Sequence, residues 1–242
     1  MLTLLMTRPQ GAAERFVAGL PPDLRALLTP VYSPLVGIVP AASTVEFGDA
    51  RGLIFTSSNG VRITAGLSDR RDLPCYCVGN ATAVAAKHAG WQAICAGTTA
   101  EGLISTLHRI RPDGPLLHMR GTHSRGNVAA RLTALGTFTN EQVIYEQPLL
   151  PLNSEAVDLV AGLDPVIVPL FSPRTARHFA RLVNGQAPLH LAALSEAVAK
   201  PLKALKYINL SISPSPEASA MAQLVGQLAN NVGRVEGTKP AQ

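Results

Sequence analysis

Short runs of apolar residues alternate along the chain with longer alanine- and leucine-rich stretches that have helical periodicity. Most of the short runs are followed by Ser, Thr, Asn, Gly or Arg and then by a helical pattern. This alternation is typical of parallel sheets covered by helices on both faces, so the pattern predicts an α/β fold. The predicted buried strands are Leu2–Met6, Leu53–Phe55, Tyr76–Val78, Leu116–Met119, Val166–Phe171 and Tyr207–Leu210.

Two proline-containing segments interrupt this alternation, and both predict extended chain because proline and the residue before it disfavour helix. The stretch between them has the size of a compact α/β domain. We interpret it as one domain inserted into another, with the two extended segments as linker strands that form a two-stranded β-ladder. The predicted organisation is an outer domain of residues 1–31 and 152–233, an inserted domain of 39–142, linker strands 32–38 and 143–151, and a disordered tail of 234–242.

An internal repeat supports two similar domains. Residues 55–62 align with 170–177 at an offset of about 115 residues, and a second block aligns at the same offset. In addition, the apolar run that ends at Arg8 resembles the run that ends at Arg120, and a helical pattern follows each. One such unit opens the outer domain and the other closes the inserted domain.

Polar turns follow several predicted strands and indicate anion binding. A turn that leads from a parallel strand into a helix presents free backbone N–H groups and the positive end of the helix dipole. Ligands of open α/β sheets bind at the carboxyl ends of the strands. The alternative is that these turns serve only as helix caps, which any α/β protein needs. The turns are Ser57-Ser58-Asn59-Gly60, Gly79-Asn80-Ala81-Thr82 and Ser172-Pro173-Arg174.

Charged residues are few along the chain, and the positive ones outnumber the negative ones. Charged residues make up 15% and hydrophobic residues 47%, while 21 Lys and Arg against 16 Asp and Glu give a net charge of +5. This composition excludes a disordered polyelectrolyte. The positive excess suits either an anionic ligand or a mildly basic surface. Nucleic-acid binding is disfavoured because aromatic residues are only 5% of the chain and lysine is scarce.

Arginines fall at or just after the predicted strand ends, where their planar forks could hold carboxylates. Two of them belong to the most polar loop of the chain, residues 120–126, in which Gly121 exposes bare backbone. A solvated turn is the alternative for this loop. The strand-end arginines are Arg8, Arg120, Arg125, Arg174 and Arg177.

Signatures of several other chemistries are missing from the sequence. It contains no glycine-rich dinucleotide fingerprint, no Gly-Lys-Ser/Thr phosphate loop, no Gly-x-Ser-x-Gly elbow and no His-Glu-x-x-His motif. Cys75, Cys77 and Cys95 lack a fourth ligand at the spacing of a metal site. We therefore predict no bound metal and expect Cys75 and Cys77 to share one buried face of a strand.

The order and spacing of several motifs resemble the uroporphyrinogen-III synthase family. The resemblance spans roughly residues 4–230 and implies two α/β domains, one inserted in the other, joined by a two-stranded ladder around a cleft. The matching motifs are Thr7-Arg8-Pro9, Leu53–Arg62, Val78–Ala83, Leu116–Gly121, Val143–Tyr145 and Phe171–Pro173.

The resemblance implies a cyclising lyase that converts hydroxymethylbilane to uroporphyrinogen III in tetrapyrrole biosynthesis. Ring D would be inverted through a spiro intermediate with loss of water, and no cofactor would be used. The substrate carries several carboxylates, which suits an arginine-tipped cleft. Because the bilane closes by itself to the uninverted isomer, the enzyme must mainly hold the terminal rings in place. The partners expected are the substrate itself and, transiently, hydroxymethylbilane synthase, and the enzyme would be a monomer.

The resemblance also assigns roles to individual residues. Tyr145 matches the family's cleft tyrosine, and a phenol that stays protonated at neutral pH could donate to the departing hydroxyl group. A half-buried structural tyrosine is the alternative. Hydroxyl and amide groups of the turns would bind substrate carboxylates. The candidate substrate-binding residues are Arg8, Ser57, Ser58, Asn59, Thr82, Arg120, Gly121, Arg125, Ser172, Pro173, Arg174 and Ser195.

One turn departs from the family pattern. The family often has Gly and Thr near the positions of Leu194 and Ala197, so we expect Ser195 to supply the hydroxyl and Glu196 to point away from the substrate. Three alternatives to an active synthase stay open at this point. They are an inactive synthase-like protein, a non-catalytic two-lobed anion-binding or sensor module, and a nucleotide-dependent transferase.

The chain also carries a prediction of where the protein works. Its first residues lack the basic region and long apolar run of a signal peptide. No window reaches the length of apolar sequence that a membrane helix needs. We therefore expect a cytoplasmic protein that has neither a membrane nor a nucleic acid as a partner.

Overall fold

Two compact units make up the protein, whose computed structural model describes residues 1–236. Unit 1 combines Met1–Gly37 with Leu149–Gln242, and unit 2 is the continuous segment Ile38–Pro148. Each unit contains a parallel β-sheet with helices packed on both faces. This architecture confirms the predicted α/β/α class.

Strands and helices alternate along most of the chain. The strands are β1 (Leu2–Met6), β2 (Leu28–Tyr32), β3 (Val39–Pro40), β4 (Gly52–Phe55), β5 (Cys75–Val78), β6 (Ala93–Gly97), β7 (Leu116–Gly121), β8 (Thr139–Glu146), β9 (Val166–Leu170), β10 (Leu189–Ala193) and β11 (Asn209–Ile212). The helices are α1 (Gln10–Ala18), α2 (Pro22–Leu27), α3 (Ser58–Leu67), α4 (Asn80–His88), α5 (Ala100–Ile110), α6 (Val128–Ala134), α7 (Ser154–Ala161), α8 (Pro173–Leu182), α9 (Glu196–Ala199) and α10 (Ala218–Glu236), and a 3₁₀ turn spans Lys200–Ala204.

The sheet of unit 1 has the strand order β11-β10-β9-β1-β2, and all its strands run parallel. Its side chains alternate between two cores, because successive residues of a strand point to opposite faces. Val166, Val168 and Leu170 pack against α7, α8 and α9, whereas Ile167 packs against α1 and α10. Both faces are apolar, as a parallel sheet between two helical layers requires.

The sheet of unit 2 has the order β3-β8-β7-β4-β5-β6, in which only the β3–β8 pair is antiparallel. One face packs against α3 and α4 around Phe55 and Trp91, and the other packs against α5 and α6. Cys75 and Cys77 lie on the first of these faces as buried free thiols, as predicted. Burial raises the pKa of the Cys77 thiol to about 12, which makes it unreactive.

Both sheets have one strand order when their strands are matched as the internal repeat predicts. Strands β9 and β10 correspond to β4 and β5, and β1 corresponds to β7. With these matches, β2-β1-β9-β10-β11 in unit 1 is equivalent to β8-β7-β4-β5-β6 in unit 2. The repeat therefore relates the two sheets strand by strand. The order along the chain differs, since the first strand of unit 1 is β1 whereas the first matched strand of unit 2 is β4, the equivalent of β9.

Several predicted boundaries differ from the structure. Strands β2, β3, β6 and β10 are missing from the predicted buried strands, and only the end of β8 is predicted, as part of the linker strand 143–151. The strand predicted over Tyr207–Leu210 begins too early, since β11 starts at Asn209. Helix α10 continues to Glu236, three residues into the tail predicted to be disordered, and the rest of that tail (237–242) lies outside the described residues.

The predicted linker strands also turn out to belong in part to the sheets. Residue 32 ends β2, and residues 143–146 end β8. Antiparallel pairing between the two crossing segments is limited to two pairs of β3 with β8 and an isolated bridge between Val36 and Leu149. Pro148 lacks an N–H group and so cannot extend the ladder between these contacts. Within residues 1–236, no helix has both the length and the apolar character needed to cross a membrane.

Candidate functional site

The strand order of unit 2 reverses between β4 and β7. The chain runs from β4 through β5 to β6 on one side and then crosses to β7 on the other side of β4. At such a reversal the connections diverge above and below the sheet and leave a crevice at the carboxyl ends of the strands, which is where ligands of open α/β sheets bind. The turn after β4 begins with Thr56 and Ser57, and the turn after β7 begins with Thr122. These two turns therefore form the candidate site of unit 2.

Ser57 is the N-cap of α3, the helix that follows the first of these turns. Its backbone is extended, and its Oγ accepts a hydrogen bond of 3.2 Å from the backbone N–H of Asn59 at the start of α3. Ser58 and Asn59 follow in the first helical turn, and both are half-buried. The first N–H groups of a helix have no intrahelical acceptor, so this turn offers donors to an anion.

Tyr145 owes its orientation to a bulge in the pairing of β7 with β8. Arg120 pairs with Val143 and Gly121 pairs with Tyr145, which leaves Ile144 as an extra residue on β8. Consecutive strand residues normally point to opposite faces, yet Ile144 and Tyr145 both enter the core beneath α3 and α4. The bulge thus turns the Tyr145 ring towards α3 at the carboxyl edge of the sheet.

The hydroxyl group of Tyr145 joins the two turns. It hydrogen-bonds with the side chain of Ser57 and with the backbone of Gly121, and the residue is 4% exposed. Burial raises the pKa of the phenol above its ordinary value of 10.0, and the two hydrogen bonds offset part of this rise. Tyr145 therefore keeps its proton at neutral pH.

Gly121 and Gln147 fix the turn after β7 against β8. A Cβ on residue 121 would stand 2.6 Å from Cζ of Tyr145 and 2.8 Å from Oε1 of Gln147, so only glycine fits there. Gln147 Oε1 accepts a hydrogen bond of 2.9 Å from the backbone N–H of His123. The backbone N–H of Thr122 donates to the carbonyl of Tyr145 over 3.0 Å. Arg125, predicted to bind substrate, is exposed further along this loop.

Arg120, also predicted to bind substrate, is engaged within the protein. Its Nη2 pairs with Oε1 of Glu141, and its Nη1 donates to the carbonyls of Gly121 at 3.0 Å and Thr122 at 3.3 Å. The side chain is 19% exposed. Its guanidinium group is therefore held by Glu141 and by the backbone of the turn after β7.

Thr82 lies in a third turn of unit 2. It belongs to the first turn of α4, where its backbone N–H donates to the carbonyl of Gly79. Gly79 has a φ of 79°, a left-handed conformation that favours glycine. Thr82 itself is 6% exposed.

In unit 1 the strand order reverses between β1 and β9, and Arg8 lies at this reversal. Its guanidinium carbon is 4.1 Å from the centroid of the Phe171 ring, which follows β9. Burial, with a smaller contribution from Arg15, lowers the pKa of Arg8 from its ordinary 12.5. Among the side chains that the structure describes, those of residues 1–233, no acidic group pairs with Arg8.

The turn after β9 has the cap that the repeat predicts. Ser172 Oγ accepts from the backbone N–H of Thr175 at 3.1 Å and lies 2.8 Å from the Thr175 hydroxyl. Pro173 occupies the first position of α8, where its missing N–H costs nothing. Arg174 follows on the first turn and is half-buried. Ser57 and Ser172 thus play the same capping role in the two units.

The turn that departs from the family pattern begins α9. Ser195 is half-buried and makes no side-chain capping hydrogen bond, in contrast to Ser57 and Ser172. Glu196 is exposed, and its Oε1 accepts a hydrogen bond of 2.8 Å from Nζ of Lys203. Its negative charge is therefore balanced locally.

Sequence reasoning missed the residues that support the turns. Glu141, Gln147 and the Thr56–His118 hydrogen bond of 3.2 Å were not among the predicted site residues. The pairing of β7 with β8 brings Glu141 and Gln147 to this edge, and strand register is not visible in a single sequence. His118 could have been found, because a histidine inside an apolar strand needs a hydrogen-bonding partner.

Comparisons with known proteins identify a family and a similar fold. A family model described as uroporphyrinogen-III synthase HemD matches residues 25–223. The crystal structure of uroporphyrinogen-III synthetase from Helicobacter pylori 26695 is similar, with a TM-score of 0.68 and 15% sequence identity over 94% of this chain and 100% of that chain. A crystal structure of a mutant uroporphyrinogen III synthase from the extremely thermophilic bacterium Thermus thermophilus has a TM-score of 0.49 and 14% identity over 96% and 100% of the two chains. No curated protein matches the sequence.

Proposed function

The chain belongs to the uroporphyrinogen-III synthase family, and we propose that the hydroxyl pair of Tyr145 and Ser57 assists the cyclisation that this family performs. The protein is a cyclising lyase that converts hydroxymethylbilane to uroporphyrinogen III in tetrapyrrole biosynthesis. The match of the family model to residues 25–223 carries this conclusion. The hydrogen bonds at the carboxyl edge of unit 2 support the proposed role of the two hydroxyl groups.

The hydrogen bonds at Tyr145 leave the proton of the phenol for the substrate. Ser57 and the backbone of Gly121 both lower the pKa of Tyr145, so the phenol oxygen accepts and the Ser57 hydroxyl and the Gly121 N–H donate. A serine hydroxyl has one proton and two acceptor lone pairs. The backbone N–H of Asn59 uses one lone pair of Ser57, and Tyr145 uses the serine proton. The phenol proton is then left for the hydroxyl oxygen that departs from the bilane.

Two donors make this proton easier to transfer. The Ser57 hydroxyl and the backbone N–H of Gly121 both donate to the Tyr145 oxygen, which favours the ionised form of the phenol. Successive hydrogen bonds polarise one another in a low-dielectric site. The departing hydroxyl oxygen takes the phenol proton and leaves as water, which generates the electrophilic bilane, and the proton that the tetrapyrrole loses on ring closure returns to the phenol.

Substrate carboxylates would be bound by helix N-termini and arginine side chains at the two carboxyl edges. In unit 2 these groups are the first turn of α3, at Ser58 and Asn59, and the exposed Arg125. In unit 1 they are Arg8 and the capped first turn of α8. Arg8 is the strongest arginine candidate, because stacking on Phe171 fixes its plane and no acid among the described residues neutralises it.

Positioning is the larger part of the proposed catalysis. The bilane closes without an enzyme to the uninverted isomer, so the protein must hold the terminal rings in the geometry that leads through the spiro intermediate. We also propose that the enzyme is a monomer in the cytoplasm. It would receive the bilane in a transient hand-over from hydroxymethylbilane synthase. The tendency of the substrate to close by itself supports the hand-over, since delay converts it to the wrong isomer.

A coupled assay tests the function. Hydroxymethylbilane is generated in situ by its synthase, the products are oxidised, and the type III and type I isomers are separated by chromatography. We expect type III in excess over type I when the folded protein is present. Type I alone, at protein concentrations where thermal unfolding shows intact structure, would contradict the proposed function.

A further inference from the structure

Strand β7 supports the candidate site of unit 2 from its far face. Leu117 and Met119 belong to the core beneath α3 and α4, whereas Leu116 belongs to the core beneath α5 and α6. His118 and Arg120 follow Leu116 at intervals of two, so they point to the same side as Leu116. This far face is opposite to the one on which the Tyr145 ring packs.

His118 holds the turn after β4. The residue is 1% exposed, and its Nε2 lies 3.2 Å from Oγ1 of Thr56. Thr56 directly precedes Ser57, the cap that contacts Tyr145. Because β4 and β7 are neighbours in the sheet, this hydrogen bond ties the two strands together just below the point where their turns diverge.

Arg120 holds the turn after β7. Its Nη1 donates to the carbonyls of Gly121 and Thr122, and its Nη2 is anchored by Glu141 on β8. Gly121 is the residue whose backbone contacts the Tyr145 hydroxyl. From the far face of β7, Arg120 therefore holds the peptide groups that position Tyr145.

We propose that Arg120, anchored by Glu141, and His118 are positioning residues for the cyclisation. They act through the turns that carry Ser57 and Gly121 and do not contact substrate. The inference rests on the proposed role of the Tyr145–Ser57 pair and extends it to a layer of side chains on the opposite face of β7. It assigns to Arg120 a role other than the carboxylate binding expected from its place at a strand end.

The two roles of Arg120 predict opposite results for variants of Glu141. If Arg120 bound a substrate carboxylate, Glu141 would compete with the substrate, and its removal would lower KM. If Arg120 positions the turn, removal of its anchor loosens Gly121 and Tyr145 and leaves binding groups in place. Then kcat falls and KM stays unchanged, because an interaction that matters only in the transition state is weakened.

The experiment compares Glu141→Ala and Glu141→Gln with the wild type in the coupled assay. We expect kcat for type III formation to fall about tenfold in Glu141→Ala, with KM within error of the wild type and a larger type I fraction. Glu141→Gln keeps the shape and one acceptor oxygen, so it should restore part of kcat. Thermal unfolding of each variant separates loss of positioning from loss of fold, and Glu141→Gln decides the matter if Glu141→Ala unfolds.

A matched control removes a similar ion pair near the amino ends of the strands of the same sheet, opposite to the candidate site. Asp72 pairs with Arg70 at 2.9 Å, beside a cavity of about 570 Å³ near the amino ends of the strands. Asp72→Ala should leave kcat, KM and the isomer ratio unchanged.

A lower KM at constant kcat in Glu141→Ala, or no change in either constant, would overturn the positioning role. His118→Gln should likewise lower kcat and raise the type I fraction, and an unchanged isomer ratio in this variant would overturn the role of His118. Failure of the underlying function is distinguishable from both results, because the wild type would then yield type I alone.

Discussion

Gly121 lies so close to Tyr145 that a Cβ atom on residue 121 would stand 2.6 Å from Cζ of the phenol ring. Gly121→Ala should therefore displace the ring and break its contact with Ser57. We expect a fall of about 100-fold in the rate of type III formation, because a displacement of about 1 Å at a reacting group has effects of that size. Steady-state kinetics in the coupled assay measure it.

Gly66 provides the control for this substitution. It lies on the exposed side of α3, and a Cβ there would meet nothing within 4 Å. Gly66→Ala should leave the activity unchanged and raise the free energy of unfolding by about 0.5 to 1 kcal/mol, as alanine replaces glycine in a helix. Equal losses of activity in both variants would contradict the close packing of Gly121 on Tyr145.

Tyr145→Phe and Ser57→Ala test the hydroxyl pair. Each change should lower kcat, while the product formed on the enzyme remains type III because the binding groups are retained, and type I arises only by uncatalysed closure of unbound bilane. If the two hydroxyls act as one donor, the double variant should be little slower than Tyr145→Phe alone. Multiplication of the two single effects in the double variant would show that the groups act independently.

The raised pKa of Tyr145 predicts how the reaction rate depends on pH. Burial raises the pKa of Tyr145 above 10.0, so the donor stays protonated and the rate should not fall through loss of this proton between pH 7 and 9. A descending limb in that range for the wild type, absent from Tyr145→Phe, would show that the phenol ionises earlier than its burial allows.

Arg8 should contribute to substrate binding. Arg8→Gln removes the charge at the strand reversal of unit 1, and we expect KM to rise several-fold with a smaller effect on kcat. The effect should weaken as salt is added, since screening reduces attraction between the arginine and substrate carboxylates. Arg181→Ala, at the far end of α8, is the matched control, and a KM unchanged by Arg8→Gln would argue against carboxylate binding at this position.

Arg71 should be important for stability and irrelevant to the reaction. Its guanidinium donates to the carbonyls of Ala65, Ser68, Arg70 and Ala89 and stacks 4.2 Å above the Trp91 ring. It thereby satisfies carbonyl groups near the ends of both α3 and α4.

Arg71→Ala should lower the free energy of unfolding by about 2 kcal/mol. Lysine should recover only part of the loss, because it cannot present a planar fork to several carbonyls. Urea titration with an unchanged slope would measure the effect. A loss no larger than that of Arg109→Ala, an exposed control on α5, would contradict this role.

His118 should make the protein less stable in acid. Burial lowers its pKa from 6.5 to about 4, so protonation is more costly in the folded protein than in the unfolded chain. The stabilisation is complete above pH 6.5 and is lost as the pH falls towards 4, by about 3 kcal/mol at the lower end. Urea unfolding at several pH values should show a shallower pH dependence for His118→Gln, and identical slopes would contradict the burial of a neutral ring.

The sequence was most informative where a strand feeds directly into a capped helix. Ser57 and Ser172 stand at equivalent positions of the repeat, and both cap a helix in the structure. The pattern of an apolar run, a serine and a helical stretch depends on local physics, so it can be recognised without knowledge of strand pairing.

Features that depend on pairing between distant strands were not predictable in this way. The bulge that orients Tyr145 arises where β8 gains one residue relative to β7, and the partner of Arg120 is 21 positions away on that strand. Because Pro148 and Pro151 follow it, the end of β8 is predicted from the sequence as a linker strand. The position of Arg120 at a strand end identifies it as a candidate site residue. Its contacts with Glu141 and the turn after β7 indicate a positioning role, which the sequence does not reveal.

The pairing of β3 with β8 also has a consequence for how the chain folds. Unit 2 is one continuous segment, and this pairing brings Pro40 next to Tyr145 near its two ends. Closing a loop as long as unit 2 from an unfolded chain costs about 4 kcal/mol in entropy. Once unit 2 has folded, its own sheet holds its two ends together. The two parts of unit 1 are then connected over a short distance, so their association costs less entropy. We therefore expect folding in sequence, with the interrupted unit consolidating only after the uninterrupted one.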